Sequence, residues 1–374
     1  MKIRLGVNLL CIQPGRNGGV ETYVREILWH MRSDSEMELV LFTNHVNHQS
    51  FAEYGNVECI LCPVHGSRRL LRVAYEQMLL SAKARKHGCQ VLFCPGYLSP
   101  IFPMLPAVVA IHDMNFRDVP ASLTPFARLL HELVIPRASH RADAVITISE
   151  FSRGRILQEL GLNPQKIHVT HLAARTFETA TAISADSLYR RSLPEHFMLC
   201  VSGSSPPHKN IMRLCSAFRR ARAAFASPWE LVCIGPKPTM LASLGLGNGH
   251  DGIHFLGYVE NGELAKIYRR AEGFVLPSLY EGFGLPTLEA MYAGLPVTCS
   301  NAASLPEVVG EAALLFDPRS EDSIADALVC FVNDPALRQR LILAGASNLK
   351  RFSWQKCAEA TARVCKDLID DKGV

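Results

Sequence analysis

The sequence predicts an α/β protein built from two doubly wound, Rossmann-like domains. Short aliphatic runs alternate with amphipathic helical stretches from end to end, the pattern of a parallel sheet covered on both faces. The alternation breaks once, over Phe177–Pro194, where Ala, Ser, Thr and Arg prevail, as in a linker. A length of 374 residues agrees with two domains at about 150 residues each.

In the first half, Ile3–Leu9, Glu38–Phe42, Val91–Cys94, Ala107–Ile111, Ala144–Ile148 and Ile167–Thr170 read as strands. In the second, His196–Val201, Trp229–Ile234, Ile253–Leu256, Gly273–Leu276, Pro296–Cys299 and Ala313–Phe316 do. The halves assign 1–176 to an N-terminal domain and 195–354 to a C-terminal one. Ser353 caps a last helix that begins at Trp354. In sheets of this kind ligands lie beyond the carboxyl ends of the strands, so those loops carry the chemistry.

Composition excludes several classes. A net charge of +4 is too mild for nucleic acid, and an apolar content of 48% suffices for two cores. No apolar run approaches the roughly 20 residues that span a bilayer, and the first strand starts almost at Met1, so the expectation is a cytosolic protein. The 12 cysteines fall mostly in apolar strand-like or helical runs. Cys59 and Cys62 form a lone C-x-x-C without a second pair at zinc spacing, so no metal site is expected.

The most informative stretch is Ser278–Met291, Ser-Leu-Tyr-Glu-Gly-Phe-Gly-Leu-Pro-Thr-Leu-Glu-Ala-Met. It joins an apolar strand ending near Pro277 to a helix through a glycine turn, with Glu281 in the turn and Glu289 on the helix. Pro286 suits a first helical turn, where an N–H has no intrahelical partner. Amides at such a start favour an anion. A carboxylate beside a phosphate-binding helix start makes sense if it binds hydroxyls, and sugar hydroxyls are the natural candidates.

Other loops fit the same ligand. Gln13–Thr22 holds Gly18 and Gly19 before a helix, which would let backbone amides approach an anion; an ordinary turn is the other reading. It lacks the G-x-G-x-x-G spacing of a nicotinamide site. His112-Asp113 follows a strand end, where His can donate to a hydroxyl or serve the core. Lys209 precedes a helix from about Ile211 and would suit a diphosphate, or would be a solvated lysine; Asn210 would cap that helix. Ser149 reads as a cap.

These residues resemble the retaining glycosyltransferases of family 4, the group-1 glycosyl transferases. The likeness rests on Phe274-Val-Leu-Pro-Ser278, the Glu281-x7-Glu289 context, Gly294-Leu-Pro-Val, Leu305-Pro-Glu-Val-Val-Gly310, Gly257-Tyr-Val259 before the helix of Leu264 and Tyr268, and the loops above. The resemblance implies the GT-B fold, two Rossmann-like domains facing a central cleft, with a C-terminal helix of about 355–374 packing back on the first. It implies that Glu281 bonds the donor sugar, that the amides of Phe283, Gly284 and Leu285 face sugar and phosphate, and that Glu289 binds the ribose. Lys209 corresponds to a diphosphate-binding lysine, Tyr258–Val259 to the backbone reading the base, Gly18 and Gly19 to the phosphate loop, and His112 to a residue beside the reacting centre. His112, Glu281 and Lys209 are the catalytic candidates. Two departures stand out: Ser204 replaces the arginine common a few residues before the lysine, and Val169–Ala174 lacks the usual Asn-Gly pair.

The implied reaction moves a sugar from a nucleoside-diphosphate donor to an acceptor hydroxyl with retention, without cofactor or metal. Likeness to polysaccharide-assembly enzymes, including those of lipopolysaccharide, favours GDP-mannose as donor and a glycan or lipid-linked acceptor. The alternatives are a non-catalytic nucleotide-sugar binder and another GT-B enzyme such as a sugar-nucleotide epimerase. Arg68, Arg69, Arg72, Lys83, Arg85 and Lys86 surround Leu70, Leu71, Val73, Met78, Leu79 and Leu80 in a helical stretch. That pattern suits peripheral contact with the cytoplasmic face of the inner membrane, or a core-facing helix with a solvated basic side.

Overall fold

A computed structural model describes residues 2–15, 18–175, 193–203, 207–235 and 252–370. The linker read over Phe177–Pro194 falls, up to residue 192, outside them, as do Ser204 and residues 16 and 17 of the first loop. The chain forms two compact units, Met1–Leu172 with Ser353–Val374, and Ala173–Phe352.

The first unit is a parallel sheet of β1 (Ile3–Asn8), β2 (Met37–Thr43), β3 (Glu58–Leu61), β4 (Val91–Cys94), β5 (Ala107–Ala110), β6 (Ala144–Thr147) and β7 (Ile167–Val169), in the order β3-β2-β1-β4-β5-β6-β7. Strands β4, β5 and β6 are buried at every position, as a sheet covered on both faces requires. Strand β3 was not read from the sequence. It lies at the sheet edge, half buried, and its short Glu-Cys-Ile-Leu run lacks the continuous apolar signal of a central strand.

The helices that matter here are α1 (Gly18–Met31), α2 (Arg69–Tyr75, continuing through a π turn, Glu76–Leu80, into Ser81–Lys86), α3 (Pro125–Arg141) and α4 (Glu150–Leu160). Val73, Leu80 and Ala84 of α2 join the core with Leu10, Phe42, Leu92 and Cys94. Arg72 turns inward with them, 8% exposed, so it leaves the outer basic face expected for that stretch. Ser149 caps α4 by accepting from the Ser152 amide at 3.1 Å.

The second unit is a parallel sheet of β8 (Phe197–Val201), β9 (Glu230–Ile234), β10 (Ile253–Gly257), β11 (Gly273–Leu276), β12 (Val297–Ser300) and β13 (Ala313–Phe316), in the order β10-β9-β8-β11-β12-β13. Among its helices are α5 (Ile211–Ala221), α6 (Asn261–Arg270), α7 (Leu285–Tyr292), α8 (Glu321–Asn333) and α9 (Pro335–Asn348). Leu214, Phe218, Leu231, Val275, Leu328 and Phe331 fill one core. Helix α10 (Trp354–Asp370) belongs to the first unit, where it packs on α1, and Lys366 bonds Asp34 at 2.8 Å and Glu36 at 2.7 Å. Every cysteine is a free thiol; Cys330 is exposed on α8, while its neighbour Phe331 faces the core.

Candidate active site

In the second unit the sheet delivers its loops as the sequence suggests. Strand β11 ends at Leu276, and the Ser278–Gly284 turn leads into α7. Gly284 adopts φ +97°, and a Cβ there would lie 2.4 Å from Leu305 Cδ2, so only glycine serves at this helix start. Pro286 has no N–H, and the Thr287 amide and hydroxyl both donate to the Gly284 carbonyl at 3.0 and 2.8 Å. The amides at this helix start are those of Gly284 and Leu285. Phe283 is buried edge-on against Phe352, with ring centroids 5.7 Å apart.

Glu281 is buried and bound from three directions. The Lys209 ammonium donates to both its oxygens at 2.7 and 2.9 Å, and Ser278 Oγ donates to Oε1 at 2.6 Å. Ser304 Oγ donates to the Glu281 backbone carbonyl at 2.9 Å, and Ser300 Oγ donates to the Ser278 carbonyl at 2.5 Å. Ser300 and Ser304 were not singled out from the sequence; spacing gives no hint that Ser300, at the end of β12, and Ser304, just beyond it, buttress this turn.

Lys209 ends a short 3-10 turn, Pro207–Lys209, that precedes α5. Asn210 takes a left-handed conformation, φ +59°, and does not cap α5 with its side chain. Its Nδ2 instead donates to the carbonyls of Pro277 (3.0 Å) and Pro318 (2.8 Å), and its Oδ1 accepts from Arg213 (2.9 Å). This clamp joins the lysine loop to the strand end before Glu281. Desolvation, with Lys209 beside it, lowers the neighbouring His208 to about 4.

Glu289, on α7, is 4% exposed. Tyr268 Oη on α6 donates to its Oε2 at 3.2 Å, and Arg175 Nε stands 3.7 Å from Oε1. Burial raises its pKa, while Arg175 and Tyr268 oppose the rise. Arg175 was not anticipated, lying next to the segment read as a linker. Val259 is buried and Tyr258 is 72% exposed, beyond Gly257 at the end of β10.

The remaining candidates lie in the first unit. Gly18, at φ +48°, and Gly19 form the exposed first turn of α1. The Gly15 amide is already taken by Glu21 Oε2 at 2.8 Å. His112 follows β5 and is 4% exposed; its Nε2 donates to the Pro95 carbonyl at 2.8 Å, which leaves only Nδ1 for a ligand. Tyr23 and Tyr97 meet the ring edge-on, with centroids 4.8 and 5.3 Å away. Burial lowers His112 to about 4, so the ring is neutral at physiological pH. The structure thus brings Lys209 and Glu281 into direct contact and places Glu289 on the helix that the same turn opens. His112, Gly18 and Gly19 belong to the other unit.

Two doubly wound parallel sheets in one chain, with an acidic glycine turn at a strand's carboxyl end, define a protein of the GT-B class. The chain belongs to the family 4, group 1 glycosyltransferases: residues 17–174 match the model described as Glycosyltransferase Family 4 and residues 195–334 that described as Glycosyl transferases group 1. It is a glycosyltransferase. It is 32% identical to the O-antigen chain mannosyltransferase B of Escherichia coli over 70% of either chain. It is 30% identical to the MMP alpha-(1->4)-mannosyltransferase of Mycolicibacterium hassiacum over 62% of this chain and 56% of that one. Among solved structures, a sucrose-phosphate synthase from Thermosynechococcus elongatus matches with a TM-score of 0.74 and 18% identity, covering 99% of this chain and 100% of that one, a likeness of fold.

Proposed function

We propose that the protein transfers mannose from GDP-mannose to a hydroxyl of a growing glycan or lipid-linked oligosaccharide, with the anomeric configuration retained. The second unit carries the donor and the first carries the acceptor. The observation that supports this best is the Lys209–Glu281 pair held by Ser278 beside the turn into α7. A carboxylate and an ammonium at one turn match a ligand that is hydroxyl-rich at one end and anionic at the other, as a sugar diphosphate is. The mannosyltransferase names of its relatives favour mannose.

In this reading Glu281 accepts from donor-sugar hydroxyls, the amides of Phe283–Leu285 face sugar and phosphate, and Glu289 accepts from the ribose hydroxyls. Lys209 and the start of α7 meet the charge that grows on the departing diphosphate, without a metal ion; pre-aimed charge of this kind is often the largest catalytic contribution. The acceptor hydroxyl enters on the face the phosphate leaves, and a phosphate oxygen takes its proton, so the new bond keeps the old configuration. In the first unit, neutral His112 can offer a hydrogen bond but does not serve as an acid.

The test is donor-dependent release of nucleoside diphosphate, with the product linkage read by NMR. GDP-mannose should turn over and an α-linked product should form. An inverted product would remove retention. Tight GDP-mannose binding with no transfer to any glycan offered would make the chain a binder.

The acceptor side also fits peripheral membrane contact. Leu70, Leu71, Met78 and Leu79 of α2 are 62%, 60%, 77% and 52% exposed, and Phe102 and Met104 nearby are 74% and 52% exposed. Lys83, Arg85 and Lys86 close the same helix. An exposed apolar crest with a basic rim suits anionic lipid. Among the described residues no helix is long and apolar enough to cross a membrane. Flotation with phosphatidylglycerol vesicles should carry the protein upward, and Leu70→Glu with Met78→Glu should leave it at the bottom.

A further inference from the structure

Helices α1 and α10 pack together in the first unit, and a cavity of about 360 Å³ opens between them. That volume falls within the roughly 300–1,000 Å³ of small-molecule sites. Small side chains on α10 make the room. Ala358 and Ala362, 2% and 3% exposed, form the floor together with buried Met31 of α1. Trp29 of α1 forms an apolar wall while remaining 52% exposed, and Gln355 and Glu359 of α10 supply a polar rim.

The cavity lies away from the loops already described. Trp29 stands in the last turn of α1, about 16 Å along the axis from Gly18 at ~1.5 Å per residue. The Ile3 amide donates to the Glu36 carbonyl at 2.8 Å, which sets this end of α1 at the amino edge of the sheet. Ligands of a doubly wound sheet bind at the opposite, carboxyl edge.

The charges around the cavity select the class of ligand. Arg32 already holds its guanidinium over the Trp29 ring, 3.3 Å from the centroid, so the attraction of the indole for a cation is in use. Asp34, also in the lining, has both oxygens engaged, Oδ1 by the Glu36 amide at 2.9 Å and Oδ2 by Lys366 at 2.8 Å. Glu359 keeps its carboxylate at the rim, oriented by the Gln355 Nε2, which donates to Oε1 at 2.9 Å. Carboxylates repel a phosphate, whereas a carboxylate beside a carboxamide pairs well with hydroxyls. The fit is to a neutral ligand with one apolar face and hydroxyl edges.

We propose that this cavity is an auxiliary glycan site that holds one hexose ring of a neutral chain, its C–H face against Trp29 and its hydroxyls on Glu359 and Gln355. Indole offers an electron-rich face to polarised C–H groups. A growing chain docked here stays with the enzyme between transfers, which raises its effective concentration as an acceptor. That use rests on the transferase reading; the binding itself does not.

Full-length protein labelled at its tryptophan indoles gives three N–H signals, from Trp29, Trp229 and Trp354, and Trp29→Phe identifies the first. Methyl α-D-mannopyranoside, methyl α-D-glucopyranoside and methyl β-D-galactopyranoside are titrated to about 10 mM, where a site of millimolar Kd is mostly filled. At least one should move the Trp29 signal saturably. Glu359→Ala should weaken that binding about fivefold or more, and Ala358→Leu, which fills the floor, should abolish it. If Ala358→Leu does not melt cooperatively, Glu359→Ala decides. A Trp29 signal that no glycoside moves overturns the assignment. So does equal binding by folded Glu359→Ala, or a signal moved by GDP instead of a glycoside, or by dilution of the protein alone. Thermal shift with GDP-mannose on the same samples reports the donor reading separately: a still Trp29 signal beside intact donor stabilisation sinks this site alone.

Discussion

The ammonium of Lys209 reaches both carboxylate oxygens of Glu281, at 2.7 and 2.9 Å, so each side chain neutralises the other. In the proposed reading an incoming diphosphate draws Lys209 toward itself, and an incoming sugar replaces the ammonium at Glu281. The two substitutions should therefore act in opposite directions on nucleotide binding. Lys209→Met should weaken GDP by about tenfold, whereas Glu281→Gln, which frees the lysine, should leave GDP binding equal or tighter. Both should lower kcat by about 100-fold or more. Calorimetry and turnover on the same samples check this, and weaker GDP binding by Glu281→Gln would break the proposed division of roles.

Glu289 gives a second prediction. Tyr268 Oη is its near donor, at 3.2 Å, and Arg175 Nε stands at 3.7 Å. Tyr268→Phe removes the donor and leaves the carboxylate more poorly satisfied, so its pKa should rise further. If Glu289 holds the ribose, Glu289→Gln should weaken GDP by about tenfold and 2′-deoxy-GDP by much less. Equal losses for the two nucleotides would place the ribose elsewhere.

The pH dependence of stability follows from buried groups of opposite sign. His112 is lowered from 6.5 to about 4, so between those values the unfolded chain binds more protons. Its contribution, roughly 3 kcal/mol, is present above pH 6.5 and is lost as pH falls toward 4. Glu76 is raised from 4.5 to about 7 by burial, so there the folded chain binds more protons and stability is lost as pH rises through that window. Glu76→Gln should gain on the wild type by roughly 3 kcal/mol between pH 4.5 and pH 7. Denaturant melts at both ends check it; a constant difference would mean that Glu76 ionises freely in the fold.

Asn210 is a stability determinant of the Lys209 loop. It spans Pro277 O and Pro318 O from a backbone at φ +59° that few residues accept. Asn210→Ala should cost about 2–4 kcal/mol through lost bonds and strain, and Asn210→Gly about 1–3 kcal/mol through lost bonds alone. Equal costs would show that the conformation contributes nothing.

Much of this was legible along the chain. Parallel strands buried on both faces are written as continuous apolar runs, so β4 and β11 could be read directly, and the Glu281-x7-Glu289 turn carried its own signature. Edge strand β3 escaped because an edge needs no such run. Arg72 was read as a surface charge because periodicity counts charges without saying which one turns inward.

The sequence by itself determined the alternation of strands and helices, the glycine turn into α7 and the family, because each depends on neighbours within a few residues. Only the tertiary structure decided that Lys209 pairs with Glu281 across 72 positions and that Asn210 clamps two prolyl carbonyls. Those facts arise where loops from separate strands converge, and no local pattern records which side chains meet there.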